Sequence, residues 1–268
     1  MKATHGHFDL ALAYPQWQGS GRHENLPRGA EATARVCEAF APIVRVPLSD
    51  DGERAEGVNR WSAIIQQFRS AQDLLARHAP RRVLTAGGDC AVDIAVIDHL
   101  NALYPDLTVI WVDSHLDANT PATTPSGNFH GMPVSAIMGN APEPMQRLLK
   151  GVVAPERFLY VHAHVGDEGD WAFRREHGLA MLDAEQTIGG PVHIHFDLDS
   201  LDPAEFPHLA YPEPNGLSVD QALALVARIS AQADIVGFTV TEFAPASDAD
   251  AADGSRTIAA LCAAAASH

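Results

Sequence analysis

A three-layer α/β/α fold around a mostly parallel sheet of about eight strands is what the sequence predicts, and three observations predict it. Short runs of β-branched or apolar residues recur along the chain, and longer segments of helical character separate most of them. No low-complexity linker, charge block or internal repeat divides the chain, so one domain over residues 1–268 is expected. A length of 268 residues with 46% hydrophobic side chains is ample to enclose one core and too apolar for a disordered chain.

The elements follow in order. An apolar strand at Phe8–Ala13 precedes a helix at Ala30–Phe40 and a strand at Ile43–Pro47. Asn59–Arg77 is the clearest helix, because Trp61, Ile64, Ile65, Phe68 and Leu75 fall on one stripe. Strands at Arg82–Ala86 and Thr108–Val112 bracket a helix at Ala91–Leu103. Short helices are expected at Pro133–Met138 and Met145–Lys150, then a strand at Phe158–Val161 and a helix at Asp170–His177. Leu179–Leu182, Val192–Phe196 and Ile235–Val240 complete the strands. Ser218 is placed to cap a helix at Val219–Ala231, and the Ala-rich end supplies a packing helix at Ser255–Ala265. In open parallel sheets ligands bind beyond the carboxyl ends of the strands, so the residues after each strand matter most.

Charge and cysteine use narrow the function. Lys plus Arg number 18 against 34 Asp plus Glu, a formal charge of −16. That balance opposes nucleic acid and anionic membrane as partners, both of which call for a basic face. Cys37, Cys90 and Cys262 are too few and too scattered for a disulfide framework or zinc ribbon, so a reducing compartment, the cytoplasm, is expected. The opening MKATHGHFDL has no charged stretch leading into an apolar segment, so no secretory signal is expected; His5 and His7 there read as solvated.

The informative residues follow two apolar strands. After Thr108–Val112 comes Asp113-Ser114-His115-Leu116-Asp117, with two carboxylates and an imidazole at alternate positions, all on one side of an extended chain. After Val192–Phe196 comes Asp197-Leu198-Asp199. Four aspartates converging at strand ends repel one another unless something positive lies among them, and a pair of divalent metals answers that need. Oxygen ligands with imidazole suit manganese and the harder first-row ions. The alternative for either Asp-x-Asp pair alone is a helix cap or a loop-amide acceptor.

These residues carry a resemblance. WVDSHLDANTPATTPSGNFHGMPVS (Trp111–Ser135), GGD (Gly87–Asp89), FDLDSLDP (Phe196–Pro203) and TEFAP (Thr241–Pro245) resemble motifs of the arginase (ureohydrolase) family. The similarity runs from Gly87 to Pro245; upstream only LPRGA (Leu26–Ala30) is suggestive. It implies hydrolysis of a guanidino group by water that two divalent metals acidify. Asp113 and Asp197 are implied as bridging ligands, His115 and Asp199 as ligands of one metal, and Asp117 with position 90 as ligands of the other. His130 is implied as the proton donor, and Glu242 as the acceptor for the guanidinium. Asn119, Ser126 and Asn128 match positions that recognise an α-carboxylate, and Asp167 the carboxylate that meets the α-amino group. A small cationic amino acid, L-arginine or Nω-hydroxy-L-arginine, is therefore the expected partner. A homo-oligomer is also compatible with the resemblance.

Cys90 departs from the pattern, because the family's first metal ligand after GGD is a histidine. One reading is a small buried thiol beside a weak or empty metal site. The other is a thiolate ligand, which makes the shell more negative, weakens the Lewis acidity and favours zinc, iron or cobalt over manganese. The second reading points toward a less basic guanidine, and hydroxyarginine hydrolases resemble this chain here. Tyr211 falls near a position where the family carries threonine. His193 and His195 share the parity of Asp197 and Asp199 but lie upstream, and are read as satisfied core histidines. Gln18-Gly19-Ser20-Gly21 lacks the pattern of a phosphate loop and is read as a candidate pocket rim. Two other classes stay open: a metal-dependent deacetylase of related architecture, and a degenerate member that binds a basic amino acid without turnover.

Overall fold

A computed structural model of the chain describes residues 7–21 and 24–267. Of the expected N-terminal solvated pair, His5 lies outside them. His7 is half-buried instead, its Nε2 within 3.0 Å of the Ile235 carbonyl and 2.8 Å of Arg82 Nη1.

All eight expected strands form: β1 (Leu10–Tyr14), β2 (Ile43–Arg45), β3 (Val83–Gly87), β4 (Thr108–Val112), β5 (Phe158–Val161), β6 (Ala180–Met181), β7 (Pro191–Asp197) and β8 (Asp234–Thr241). They make one sheet in the order β2-β1-β3-β8-β7-β4-β5-β6, and every neighbouring pair is parallel. Such strands are covered on both faces and therefore read as continuous apolar runs. β1, β3 and β4 are buried at every residue, while β6 at the edge is exposed.

The helices are α1 (Leu26–Cys37), α2 (Trp61–His78), α3 (Asp93–Leu103), α4 (Pro133–Ser135), α5 (Glu143–Gln146), α6 (Glu168–His177), α7 (Val219–Gln232) and α8 (Asp248–Ala265). Alternation divides the core in two. Leu12, Val109 and Trp111 pack with α2 and α3 on one face, and Ala11, Ile110 and Ile194 with α1, α7 and α8 on the other.

Helix ends differ most from expectation, and the causes are local. α8 starts at Asp248 rather than Ser255, because Ser247 caps it by accepting from Asp250 N, and Asp248 and Asp250 complement the helix dipole. α1 starts at Leu26, with Pro27 in the first turn where a missing N–H is harmless. α5 begins upstream at Glu143 for the same reason, with Pro144 in its first turn. The helix expected over Pro133–Met138 stops at Ser135 and continues as a wide turn to Asn140, in which Gly139 takes φ +93°. Ser218 does cap α7, reciprocally with Gln221.

One sheet irregularity positions the chemistry. The β7–β8 register shifts between Val192 and His193, after which His193 faces Gly237, His195 faces Thr239 and Asp197 faces Thr241. A side chain at Gly237 would put its Cβ 2.1 Å from His193 Nδ1. Gly237→Ala is therefore expected to destabilise the protein by about 1–3 kcal/mol through overpacking, measured by urea unfolding. An unchanged midpoint would contradict this packing.

Candidate metal centre and active site

Four adjacent strands at the centre of the sheet, β3, β8, β7 and β4, deliver the site residues from their carboxyl ends. The turn after β3 is held against β1, where Gly88 N donates to the Tyr14 carbonyl and Asp89 N to the Gln16 carbonyl. A Cβ at Gly88 would stand 1.9 Å from the Gln16 carbonyl oxygen, so glycine is required. Asp89 then accepts from Gly19 N (2.8 Å), Gln16 Nε2 (3.0 Å) and Ala91 N (3.0 Å), which fixes Cys90 at the start of a tight turn. After β8, Glu242 N donates to the Gly88 carbonyl, tying the two strand ends together.

Asp113, Asp117, Asp197, Asp199 and Glu242 are all buried. Asp113 accepts from His115 N (2.6 Å) and Trp111 Nε1 (2.9 Å); Asp197 accepts from Asp199 N (2.7 Å) and from the Cys90 thiol (2.7 Å). His115 Nδ1 lies 3.0 Å from Asp199 Oδ2 and 3.5 Å from Asp113 Oδ1, and its Nε2 lies 3.6 Å from Glu213. Burial opposes the imidazolium of His115, but the Asp199 and Asp113 carboxylates outweigh it and raise the pKa far above normal. Burial likewise raises Asp113, and the bonds and charge of His115 outweigh that and hold it low.

At the other carboxyls such compensation is outweighed. Burial and then the Asp113 charge push Asp197 up to about 6. Burial followed by neighbouring aspartates raises Asp117, Asp199 and Glu242 further still. Asp117 Oδ2 and Glu242 Oε2 are buried without a hydrogen-bond partner, and both residues take left-handed backbone angles, φ +48° and +58°. Orphaned acceptors and backbone strain in the same residues mark a site shaped for a ligand.

Candidate metal ligands fall into two groups. One atom each from Cys90, Asp113, His195 and Asp197 lie within 4.8 Å of one another, as do atoms from Asp113, His115 and Asp199. Asp113 belongs to both groups, whereas Asp197, also expected to bridge, belongs to the first alone. Two further departures from expectation stand beside that one. Asp117 is absent from both groups, and His195, read from sequence as core, lies within one. The core reading of His193 and His195 is itself sound, because both bond Asp93 Oδ2, at 2.7 and 2.8 Å. Burial pushes Cys90 up, and the Asp197 charge adds to it, so the thiol keeps its proton until a cation displaces it.

A cleft of about 260 Å³ is lined by Cys90, His115, Asp117, Asp197, Asp199 and Glu242 together with Asn119, Ser126, Asn128, His130 and Asp167, whereas Asp113 and His195 are not among its lining residues. His130 Nδ1 stands 3.5 Å from Glu242 Oε1, and burial lowers its pKa, so the imidazole is neutral at physiological pH. The Ser126–Asn128 loop is shaped by Asn59, whose Nδ2 donates to Asn128 Oδ1 (2.9 Å) and the Ser126 carbonyl (3.0 Å). Asp167 caps α6 through Oδ1 and accepts from Asn119 Nδ2 through Oδ2 at 3.0 Å. Tyr211 lines the cleft with its ring 5.1 Å from that of His130. The Gln18–Gly21 segment, expected as a pocket rim, is not among the lining residues; it supports one of them, the Gly19 carbonyl accepting from His130 N.

Several contributors escaped the sequence reading. Asp170 supports both Asp167 N (3.0 Å) and Ala118 N (2.9 Å), and the Asp167-x-x-Asp170 spacing of a capping box was the available signal. Asn59, Asp93 and Glu213 carried no local signal, because their partners are remote in the chain.

A parallel sheet with paired aspartates, an imidazole and orphaned carboxylates at its central strand ends offers the donors of a divalent-metal site. Comparison with known proteins agrees: the Arginase family profile matches residues 28–267, and the chain belongs to that family. It is 32% identical to the arginase of Eremothecium gossypii over 195 residues, covering 63% of this chain and 48% of that protein. Against the arginase of Saccharomyces cerevisiae it is 30% identical over 212 residues, 69% of this chain and 63% of the relative. The chain thus spans about half to two thirds of the length of these relatives. The crystal structure of the arginase from Bacillus caldovelox superposes with a TM-score of 0.81 at 23% identity, covering 97% of each chain, and confirms the fold.

The donor chemistry fits divalent metal, and its pH dependence follows. Asp197 titrates at about 6 rather than 3.8, so the folded chain holds a proton that the unfolded chain releases. Metal-free stability from this group therefore falls as pH rises through that interval, whereas cations bind only the deprotonated ligands. The rise in Tm on adding manganese or zinc is expected to be small near about pH 5 and to grow toward about pH 7.5. Equal increments at both pH values would contradict this.

Proposed function

We propose that this chain hydrolyses the guanidino group of an arginine-like amino acid, releasing ornithine with urea or hydroxyurea. The observation that supports the reading is that candidate ligands Cys90, His115, Asp197 and Asp199 line one cleft with His130, Glu242 and residues of the Asn119–Asn128 loop. We read residues 1–268 as one domain of this kind, acting in a reducing cytoplasm on a small cationic substrate, without nucleic acid or membrane. Three buried free cysteines support the compartment, and among the described residues no helix is long and apolar enough to cross a membrane.

The ligands proposed for two divalent ions are Cys90, Asp113, His115, Asp117, Asp197 and Asp199. When bound, the ions supply Lewis acidity that makes water a nucleophile at neutral pH and offset the charge of the aspartates. Manganese suits the oxygen-rich side; zinc, iron or cobalt suit a side that includes the Cys90 sulfur. Glu242 offers its unpartnered Oε2 to the N–H groups of a flat cation, and a charge-assisted bond there fixes the guanidinium plane. Asn119, Ser126 and Asn128 supply donors for the α-carboxylate, and Asp167 an acceptor for the α-ammonium. His130, neutral at rest beside Glu242, accepts the proton given up by the attacking water and, as the imidazolium, returns it to the departing amine.

Substrate choice turns on Cys90 and Tyr211. Four aspartates and a thiolate leave the site one charge more negative than an imidazole at position 90 would. A weaker Lewis acid suits an electron-poorer guanidine, and the Tyr211 ring beside His130 narrows the space around it. Nω-hydroxy-L-arginine is therefore the favoured substrate over L-arginine.

Steady-state kinetics with ornithine detection test this. Metal-loaded protein is expected to release ornithine, with kcat/KM for Nω-hydroxy-L-arginine at least about tenfold above that for L-arginine. A preference for L-arginine overturns the substrate assignment, and no turnover of either leaves a binding protein. His130→Asn is expected to lower kcat about 10²–10⁴-fold with metal content unchanged, by elemental analysis. Full activity in that variant would remove His130 from the mechanism.

A further inference from the structure

We propose that His195 is itself a metal ligand, completing with Cys90, Asp113 and Asp197 a sulfur–nitrogen–oxygen site beside the one built on Asp113, His115 and Asp199. The proposal rests on the metal-dependent reading of this cleft and specifies which side chains hold the second ion.

The hydrogen bonds fix which nitrogen is free. Asp93 is buried and accepts from His193 Nε2 (2.7 Å), His195 Nδ1 (2.8 Å) and the Thr239 hydroxyl (2.7 Å). With Nδ1 of His195 donating to that carboxylate, its Nε2 carries the lone pair and accepts from the Thr241 hydroxyl. The neighbour of Nε2 is the Thr241 hydroxyl at 3.3 Å, itself 3.5 Å from Cys90 Sγ. A carboxylate behind an imidazole whose other nitrogen faces candidate ligands is the arrangement that orients metal-binding histidines.

The ring plane is fixed as well. Trp111 and His195 are register partners across β4 and β7, and their rings stack at 3.5 Å and 5°. The same indole donates through Nε1 to Asp113 Oδ2 at 2.9 Å. One side chain thus sets the orientation of two ligands of one site. His193 provides the internal comparison: it bonds the same Asp93 oxygen, but its Nδ1 points toward Gly237, has no partner and lies outside the ligand group. Asp93 is a positioning residue for one histidine and a structural anchor for the other.

One sulfur, one imidazole and two carboxylates form a softer donor set than the neighbouring site, and favour zinc or cobalt there. Cobalt is the probe. Wild-type protein titrated with cobalt(II) is expected to bind two ions per chain and to develop a thiolate-to-cobalt charge-transfer band in the near ultraviolet. His195→Asn is expected to bind one and to lose the band while keeping the wild-type circular dichroism. Asp93→Asn is expected to keep both ions at saturation with about 10–100-fold weaker affinity. Two ions and an unchanged band in His195→Asn overturn the proposal and leave the hydrolase reading intact. A wild-type chain that takes up no divalent metal overturns that reading as well. X-ray absorption at the zinc edge of zinc-loaded wild type needs no variant: two coordinated imidazoles per chain support His195, and one imidazole, that of His115, overturns it.

Discussion

Repulsion among buried carboxyls is the constraint on which the rest of this structure depends. Asp113, Asp117, Asp197, Asp199 and Glu242 are withdrawn from water at the ends of three neighbouring strands, where burial raises each of them and the Asp113 charge raises the other four further. The chain offsets part of this itself. Backbone N–H groups of His115 and Asp199 donate into the cluster, the Trp111 indole and Cys90 thiol add two more donors, and His115 carries the nearest positive charge. What remains is concentrated in Asp117 and Glu242, each strained at the backbone and each with one buried oxygen that nothing satisfies. Removing one of a set of buried charges changes all the others, so the residues act as a unit rather than as separate ligands.

The fold explains how such a cluster can be tolerated. Parallel strands end together, and their order brings the ends of β3, β8, β7 and β4 side by side although they are remote in sequence. The surrounding sheet, covered on both faces, supplies the packing that holds the strained residues in place. Close backbone approach is essential in this frame, at Gly88 against Gln16 and at Gly237 against His193, where any Cβ would intrude. The register shift in β7 then aligns His195 with Thr239 and Asp197 with Thr241, setting the side chains that share the cluster.

The strands were legible in the sequence because a fully buried parallel strand must be a short apolar run, and β4 and β5 begin and end where TVIWV and FLYV do. Helix ends were less legible, since capping by Ser247 and first-turn prolines moved α8, α1 and α5 upstream of their apolar stripes. Alternate aspartates after a strand announced the centre, because extended backbone places positions i and i+2 on one side. Asp117 fits that parity, but its backbone is left-handed and its carboxyl lies in neither of the two tight groups. His195 fits the same parity and was read as core, since its role depends on a stacking partner 84 positions upstream and a carboxylate at the start of α3. Asn59 was invisible for the same reason: its function is a bond to a loop that only the folded chain brings near.

Calorimetric titration of the metal-free protein with a divalent cation, repeated in buffers of different ionisation enthalpy, tests the central claim most directly. A carboxylate cluster raised by its own charge must release protons when cations enter, and a thiol among the ligands must release another. Two ions per chain with net proton release are therefore predicted. Saturable binding without proton release, or no binding at all, would contradict a centre assembled to hold metal.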